Sequence, residues 1–576
     1  MHKRVVIVGA VAAGPKTACR LRRLQPDWHI TMIDQDSLIS YGGCGIPYYV
    51  GGDVSDESEL RATSFHVVRD ASFFAHAKGV EVMTSTRAVA IDRANKILKT
   101  VGVDSGEERT LPYDALVLAT GAAPVQLPLK GAHLDGVFTI ASLHKAIAIK
   151  ERVAKGKVGK VVVIGGGAIG IEMAESMADL WGLETALVEF MPQVLPKAVD
   201  WPMAKMLETH LRENGVEVFT GESVVEILDN GHGGVAGVTT DKRTLEADLV
   251  IMAAGVRPRS ELAREAGLDV TSWGGIKVNM RLQTSDPDIY AAGDCIATTQ
   301  LITGKETFMA MGSLANRQGR VVADNIAGKP TMFKGVVSSF IMKGFERCIG
   351  STGITYESAL AEGYDADYSL TSPADRAHFF PGQAVVIYLM VFDRKTRRVL
   401  GVQGFGMMND SVSARIDAAA ALLSTGGTID DFGLVEMAYA PPFSSAIDSL
   451  NGAAYTADNL CDGRMRQVDL QRFLDWMEDM DQEPGWAVLD IRHPREAEPW
   501  VDRFGGDRWV SMNYEEVRAR HGELPEGKTW IIVCNAGTRS YEVQVFLDRL
   551  GKTDSLVLGG GLNVMARLGV DWFVTK

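Results

Sequence analysis

Four stretches of this chain carry residue types and spacings that do chemistry. In Ser40-Tyr41-Gly42-Gly43-Cys44-Gly45-Ile46-Pro47-Tyr48-Tyr49 a single cysteine stands among glycines, just ahead of a proline suited to the first turn of a helix. A thiol at the positive end of a helix dipole is favoured as thiolate, the nucleophilic and redox-active form. Gly9-Ala10-Val11-Ala12-Ala13-Gly14 and Gly165-Gly166-Gly167-Ala168-Ile169-Gly170 each leave a β-branched run and open a helical pattern. In that context backbone N–H groups cradle a pyrophosphate. Far downstream, Cys534-Asn535-Ala536-Gly537-Thr538-Arg539-Ser540 sets another cysteine between a strand and a helix. A loop of that kind turns several N–H groups toward an anionic sulfur.

These groups need elements to position them. Arg4 to Val8 reads as a strand buried on both faces, followed by a helix through Ala18 to Leu24 and a strand, His29 to Ile33, that ends at Asp34. This is a βαβ unit with an acid placed for a ribose hydroxyl, although its middle glycine position is Val11. Lys160 to Ile164, the helix Ile171 to Leu180 and the strand Glu184 to Val188, ending at Glu189, repeat the unit with G-x-G-x-x-G complete. Glu189 is placed to bond both ribose hydroxyls and to repel a 2′-phosphate, and Phe190 supplies no cation, so NADH is expected over NADPH. Glu172 falls just inside that helix.

The bulk numbers narrow the class. A chain of 576 residues exceeds one core and implies three to five domains. With 46% hydrophobic and 23% charged residues it is an ordinary globular composition, and a net charge of −14 speaks against a general nucleic-acid binder. The six cysteines are scattered, with no zinc-ribbon spacing, so no metal site and a reducing, cytoplasmic setting are expected. His2-Lys3-Arg4 before Val5 to Ala13 imitates a secretory signal, but Gly9 and Gly14 in nucleotide-loop spacing make it a first strand. No apolar run reaches the length of a membrane span, so a soluble protein with no membrane partner is expected.

Two more strands, Leu116 to Ala119 running into Thr120-Gly121 and Ile289 to Ala292 running into Gly293-Asp294, end in A-T-G and A-G-D. With the opening unit they resemble the FAD domain of the two-dinucleotide-binding flavoproteins, the pyridine nucleotide–disulfide oxidoreductases. The resemblance implies FAD held by Gly9, Val11, Ala12, Ala13, Gly14, Asp34, Gln35, Ser40, Thr120, Gly121, Gly293 and Asp294. Asp34 would take the adenosine ribose and Asp294 the ribityl chain. It implies NADH held by Gly165, Gly167, Ala168, Ile169, Gly170, Glu189 and Gly255.

The pattern S-x-x-x-C-G-[IL]-P-Y-Y resembles the single-cysteine branch: coenzyme A disulfide reductases, persulfide reductases, NADH peroxidases and water-forming NADH oxidases. There the cysteine works alone, as thiolate, mixed disulfide or sulfenic acid. This likeness runs from Met1 to about Asn451. Tyr439-Ala440-Pro441-Pro442-Phe443-Ser444-Ser445-Ala446 is similar to a segment of the coenzyme A disulfide and persulfide reductases, which implies a homodimer in which Tyr439 reaches the partner subunit's cysteine. Phe379-Phe380-Pro381-Gly382 stands where those proteins often have Y-Y-P-G, and Ile447 where they often have Lys. Arg20, Arg22, Arg23 and Ser40 are the candidates for contacting coenzyme A. C-x-x-G-x-R-S, with Asp490-Ile491-Arg492 upstream and Leu558-Gly559-Gly560-Gly561 downstream, resembles a rhodanese domain. That implies a sulfane sulfur on Cys534 with Arg539 beside it, and the four-residue gap between them suits a persulfide better than a phosphate.

The expected architecture is α/β with two Rossmann-like domains. An FAD-binding domain in two parts, 1–145 and 255–330, encloses an NAD-binding domain, 146–254. An α+β dimerisation domain, 331–452, a linker, 453–467, and a C-terminal α/β rhodanese domain, 468–576, follow. The expected function is a homodimeric, FAD- and NADH-dependent reductase of persulfide or polysulfide, or of coenzyme A disulfide or persulfide, working through Cys44 and Cys534. The alternatives are an NADH oxidase or peroxidase with a sulfenic acid on Cys44, and a non-catalytic redox-sensing flavoprotein with a sulfur-carrier domain.

Overall fold

The computed structural model describes residues 2–140 and 142–570; Met1, Ala141 and the end of the expected C-terminal domain, 571–576, lie outside the described residues. The chain divides into two units, Met1–Pro192 with Asn214–Val336, and Gln193–Glu213 with Val337–Lys576.

The first unit is organised by two parallel sheets. Arg4–Val8, with Val5 and Ile7 fully buried, lies between His29–Ile33 and Ala115–Leu118, and Ile289–Ala291 and Glu81–Met83 complete the five strands. A strand from after residue 255 thus joins the sheet that begins at residue 4. In the second sheet Lys160–Ile164 lies between Glu184–Glu189 and Leu249–Met252, flanked by Val216–Thr220 and Val137–Thr139. Both central strands are continuous β-branched runs because helices cover the two faces of a parallel sheet. Their carboxyl ends carry the two glycine loops, where ligands bind in open α/β sheets.

The second unit holds a five-stranded antiparallel sheet, ordered Phe340–Gly344, Arg347–Gly353, Val399–Met407, Ile387–Asp393 and Ala366–Thr371, and a separate four-stranded parallel sheet, ordered Trp509–Ser511, Trp486–Asp490, Thr529–Val533 and Ser555–Val557. Together with the first unit, this is the α/β architecture expected, including an extra α/β region at the C-terminus.

Two segments differ from expectation. The stretch 453–467 is not a linker: Ser449–Cys461 is a helix, and Leu450, Ala453, Ala454, Ala457 and Leu460 are buried at helical spacing. Small, polar-looking composition disguised it, yet alanines are what let a helix approach the sheet closely enough for Ser369 Oγ to donate to Ala453 O at 2.9 Å. Even Arg466 is built in, its guanidinium on Asp548 and its N–H donating to Gln544 Oε1. The second difference is the helix Trp201–Glu213, expected in the NAD-binding domain, which groups with the second unit. Its start is fixed there by Asp200, whose carboxylate accepts from Tyr356 N–H and the Gln403 amide, partners too distant in sequence for periodicity to find.

The Ser449–Cys461 helix is anchored by a buried ion pair. Asp448 accepts from Arg415 Nη2 at 2.5 Å, from Ser444 Oγ at 2.7 Å and from Leu450 N–H at 2.9 Å. Burial opposes its ionisation, but those donors outweigh it and hold the carboxyl below its ordinary range. Asp448→Leu strands the Arg415 charge and is expected to destabilise this unit by about 3–5 kcal/mol, read as a lower urea midpoint. Because the folded pKa is depressed, the contribution is complete above the ordinary carboxylate value of about 4 and is lost as pH falls through the folded value. The wild-type and Asp448→Leu midpoints should therefore converge in acid.

Candidate active site

Each glycine loop is closed by its own backbone. At Gly9, φ is +107° and a Cβ would sit 2.1 Å from Ala119 O, and a Cβ on Gly14 would sit 1.9 Å from Gly9 O. Gly165 and Gly170 repeat this, with φ +112° and 2.5 Å to Ala253 O, and 1.9 Å to Gly165 O. No side chain is tolerated at these four positions. Val11 and Gly167 occupy the outward middle position, and at Gly167 a Cβ meets open space. The helices that follow, Ala13–Leu24 and Ala168–Glu175, have neither a side-chain cap nor an acid in the first turn. Their leading N–H groups are left for an anion.

A carboxylate stands at the end of the second strand in each unit. Asp34 is half-buried and accepts from Ala10 N–H at 2.7 Å and Asp36 N–H at 2.9 Å, and burial pushes its carboxyl up. Glu189 is 6% exposed, with its two oxygens on Gly166 N–H at 2.5 Å and Met191 N–H at 2.8 Å. Phe190 beside it is exposed. These donor sets fit two dinucleotides, each with its pyrophosphate at a helix start and a ribose at the carboxylate.

The remaining expected cofactor residues gather at the same strand ends. Gly121, Gly255 and Gly293 all have positive φ; Thr120 Oγ1 donates to Arg259 O at 2.6 Å, and Gly293 N–H to Gln318 Oε1 at 2.7 Å. Ser40 is buried with φ +52°, its N–H on Ala10 O, while Gln35 is exposed. Asp294 is half-buried, and burial pushes its carboxyl up to about 6 against the pull of Met311 N–H.

Cys44 lies in a 3₁₀ turn, Gly43–Gly45, that runs into the helix Ile46–Gly51 with Pro47 in its first turn, and the thiol is exposed. A Cβ on Gly312 would lie 3.8 Å from Cys44 Sγ. Gly312 opens the uncapped fifteen-residue helix Gly312–Ile326 directly after Met311. The thiol thus faces a second, longer helix N-terminus, beside the backbone that holds Asp294. Sequence reasoning missed Gly312, because nothing local ties it to a cysteine 268 positions earlier (312 − 44).

Of the arginines considered for coenzyme A, Arg20 is engaged with the buried Asp324 at 2.8 Å, and Arg22 with Pro26 O and Gly79 O. Arg23 is exposed and, with Lys78, Lys16 and Arg69, surrounds Cys19 with positive charge, although burial is the larger influence and raises that thiol.

In the second unit, Tyr439 is 51% exposed within a run that also exposes Phe443 and Ile447. Phe379 is exposed on the neighbouring segment, joined through Ala377 N–H to Pro441 O and Ser445 Oγ to Arg376 O. Cys534 is 2% exposed, and Gly537 N–H donates to its Sγ at 3.1 Å. Gly537, in the left-handed region, leads into the uncapped helix Thr538–Arg549. Ser540 in its first turn is fully buried with no partner for Oγ among the described residues, and Arg539 is half-exposed near Tyr514. Asp490 and Arg492 form a buried pair at 2.7 Å behind this loop. Among the described residues there is no His, Cys, Asp and Glu cluster suited to a metal, and no helix is long and apolar enough to cross a membrane.

Two dinucleotide cradles and a lone thiol beside one of them define a nucleotide-dependent thiol–disulfide oxidoreductase. The chain belongs to the pyridine nucleotide-disulphide oxidoreductase family: the family model matches residues 3–318, and that of the family's dimerisation domain matches residues 342–450. Family membership carries the use of FAD and NAD(P)H. The chain is 35% identical over 450 residues to an NAD(P)H coenzyme A polysulfide/persulfide reductase of Pyrococcus horikoshii, covering 78% of this chain and 97% of that protein. It is 35% identical over 454 residues to an NADH oxidase of Methanocaldococcus jannaschii, covering 79% and 98%. A solved NAD-dependent persulfide reductase from A. fulgidus is similar over 97% of this chain and 99% of its own, with 36% identity and a TM-score of 0.90.

Proposed function

We propose that this protein is a homodimeric, NADH-dependent reductase of persulfide or polysulfide sulfur that releases sulfide, with coenzyme A disulfide and coenzyme A persulfide as further substrates. The observation that carries this reading is Cys44 Sγ, exposed against the start of the Gly312–Ile326 helix in the unit that holds both cradles. The likeness to two persulfide reductases supports it.

The Gly9–Gly14 loop, the helix start at Ala13, Asp34 and Asp294 hold FAD; Gly165–Gly170 and Glu189 hold NADH. Bound FAD supplies the two-electron step between NADH and the thiol. Cys44, which works here as the nucleophilic sulfur, sits beside the N-terminus of the Gly312–Ile326 helix. It attacks the inner sulfur of a persulfide R–S–SH, a Cys44–S–S–R bond forms as the S–SH bond breaks, and hydrosulfide leaves. Reduction of that disulfide by the electron pair of NADH frees R–SH and restores the thiolate, so that R–S–SH + NADH + H⁺ gives R–SH + H₂S + NAD⁺. Tyr439 of one protomer protonates the leaving thiolate at the partner's site, which accounts for a tyrosine left half-exposed in a run of exposed apolar residues. Arg23, Lys16, Arg69 and Lys78 offer charge for the phosphates of a coenzyme A carrier.

The C-terminal region, 468–576, is read as a rhodanese domain in which Cys534 carries sulfane sulfur. Gly537 N–H donates to Cys534 Sγ, and the start of the Thr538–Arg549 helix, beside Arg539, would stabilise the terminal sulfur of the persulfide. The FAD-binding parts are read as 1–145 and 255–330, the NAD-binding domain as 146–254 without the helix Trp201–Glu213, and the dimerisation domain as running on through the helix Ser449–Cys461; the setting is read as the cytoplasm.

The test is anaerobic NADH oxidation by the FAD-loaded protein, offered polysulfide, coenzyme A persulfide and coenzyme A disulfide in turn, with sulfide measured. Cys534→Ser is expected to slow turnover about tenfold or more with donors that must first load a sulfane sulfur, and to leave coenzyme A disulfide reduction unchanged. NADH loss only on admission of oxygen or peroxide would instead make this an oxidase using a Cys44 sulfenic acid, the reading favoured by the likeness to an NADH oxidase.

A further inference from the structure

The helix after Cys44 spans only six residues, Ile46–Gly51, too few to persist in water unaided. The nucleotide helix holds it. Tyr48 Oη donates to Glu172 Oε1 at 3.2 Å, Ser176 Oγ shares its proton between Glu172 O at 2.8 Å and Pro47 O at 3.0 Å, and Trp181 Nε1 donates to Val50 O at 2.8 Å. Packing is as close as the bonding: a Cβ on Gly51 would come within 3.0 Å of Ser176 Oγ. Glu172 lies on the helix Ala168–Glu175 that starts at the second glycine loop, and the winding widens to a π-helix over Ser176–Leu180, with Ser176 at its start and Trp181 directly after its end. Such widening recurs at functional sites.

The bonds from Ser176 and Trp181 end on backbone carbonyls and fix where the short helix lies. Tyr48–Glu172 joins two side chains, so it can be made or broken without moving either backbone. Tyr48 is half-buried, and burial, then the neighbouring Glu172, raise its phenol above the ordinary value, which keeps it a donor. It follows Cys44 by one helical turn.

We infer that Tyr48 and Glu172 are positioning residues that couple dinucleotide binding at Gly165–Gly170 to the reactivity of the Cys44 thiol. A ligand on the N-terminus of the Ala168–Glu175 helix acts on Glu172; Glu172 holds Tyr48; and the helix of Tyr48 continues the turn of Cys44. The inference rests on the nucleotide and thiol assignments above and is independent of the sulfur acceptor.

The experiment uses the FAD-loaded protein, reduced with thiol and desalted under anaerobic conditions. Iodoacetamide alkylation of Cys44 is followed by peptide mass spectrometry with and without saturating NAD⁺. In the wild type NAD⁺ is expected to change the rate by about fivefold or more. In Tyr48→Phe and in Glu172→Gln the two rates should converge to within about twofold, and the double variant should behave like either single one. Ser176→Ala, which removes a bond to backbone, should keep the NAD⁺ effect and serves as the packing control. An NAD⁺ effect that persists in both variants, as direct shielding of the thiol would give, overturns the inference, as does its absence from the wild type. Failure of the sulfur-reductase reading leaves these rates untouched because no sulfur acceptor is present. Failure of the nucleotide assignment appears separately, as no NAD⁺ binding by the wild type, and removes this inference with it.

Discussion

Cys44→Ser is expected to lower sulfide release from every sulfur substrate by at least about 10³-fold in kcat, with FAD still bound and still bleached by NADH. The expectation follows from where the thiol sits. Cys44 is exposed at the mouth of two helix N-termini, one starting at Ile46 and the other at Gly312, and neither helix carries a side-chain cap that competes for its leading N–H groups. A cysteine sulfur placed there can exchange with sulfane sulfur, whereas a serine hydroxyl cannot form or break such a bond. The glycine loops and the carboxylates of Asp34 and Glu189 are separate from this turn, so hydride delivery to the bound flavin should survive. Single-turnover flavin reduction and steady-state sulfide release, measured on the same preparation, separate the two. Turnover with sulfur substrates that survives the substitution would mean that Cys44 is not the attacking thiol.

The second large effect is on nucleotide choice. Glu189→Ala with Phe190→Arg is expected to shift kcat/KM toward NADPH over NADH by about 10²-fold relative to the wild type. Glu189 is 6% exposed and bonded to Gly166 N–H and Met191 N–H, which fixes its carboxyl group at the strand end where the proposed reading puts the ribose. Two like charges about 5 Å apart in a site of effective dielectric near 20 repel by about 3 kcal/mol, which is about two decades in an equilibrium constant. Removing the carboxylate frees both N–H donors for the phosphate, and the exposed position of Phe190 gives an arginine room to pair with it. Equal use of the two nucleotides by the wild type, or a double variant with unchanged preference, would show that Glu189 does not read the ribose.

Much of the site was legible in the sequence because its logic is local. A β-branched run, glycines at fixed spacing and an acid at the next strand end are one βαβ unit, and every part lies within about thirty residues. The cradle glycines proved irreplaceable for a steric reason that spacing already encodes, since a Cβ at Gly14 or Gly170 would stand 1.9 Å from a carbonyl of its own loop. The same holds for Cys534, whose sulfur accepts from Gly537 N–H three residues on.

What the sequence left open depends on contacts between distant segments. The helix Ser449–Cys461 looked like a linker because glycine, asparagine, aspartate and threonine mark loops when taken alone, and its alanines read as small residues with no apolar stripe; the sheet against which Ala453 and Ala457 pack makes them core residues. Trp201–Glu213 reads as one more crossover helix until Asp200 finds Tyr356 and Gln403. Arg20 has the appearance of a surface cation, and its partner Asp324 lies 304 positions away. Gly312 and Glu172 carry no motif that links them to the cysteine turn. Local composition and periodicity therefore marked the two glycine loops and the two candidate cysteines. Tertiary structure decided which helices surround Cys44 and which charges remain available to a substrate, because a helix dipole or an ion pair acts through space on whatever the fold brings within a few ångströms.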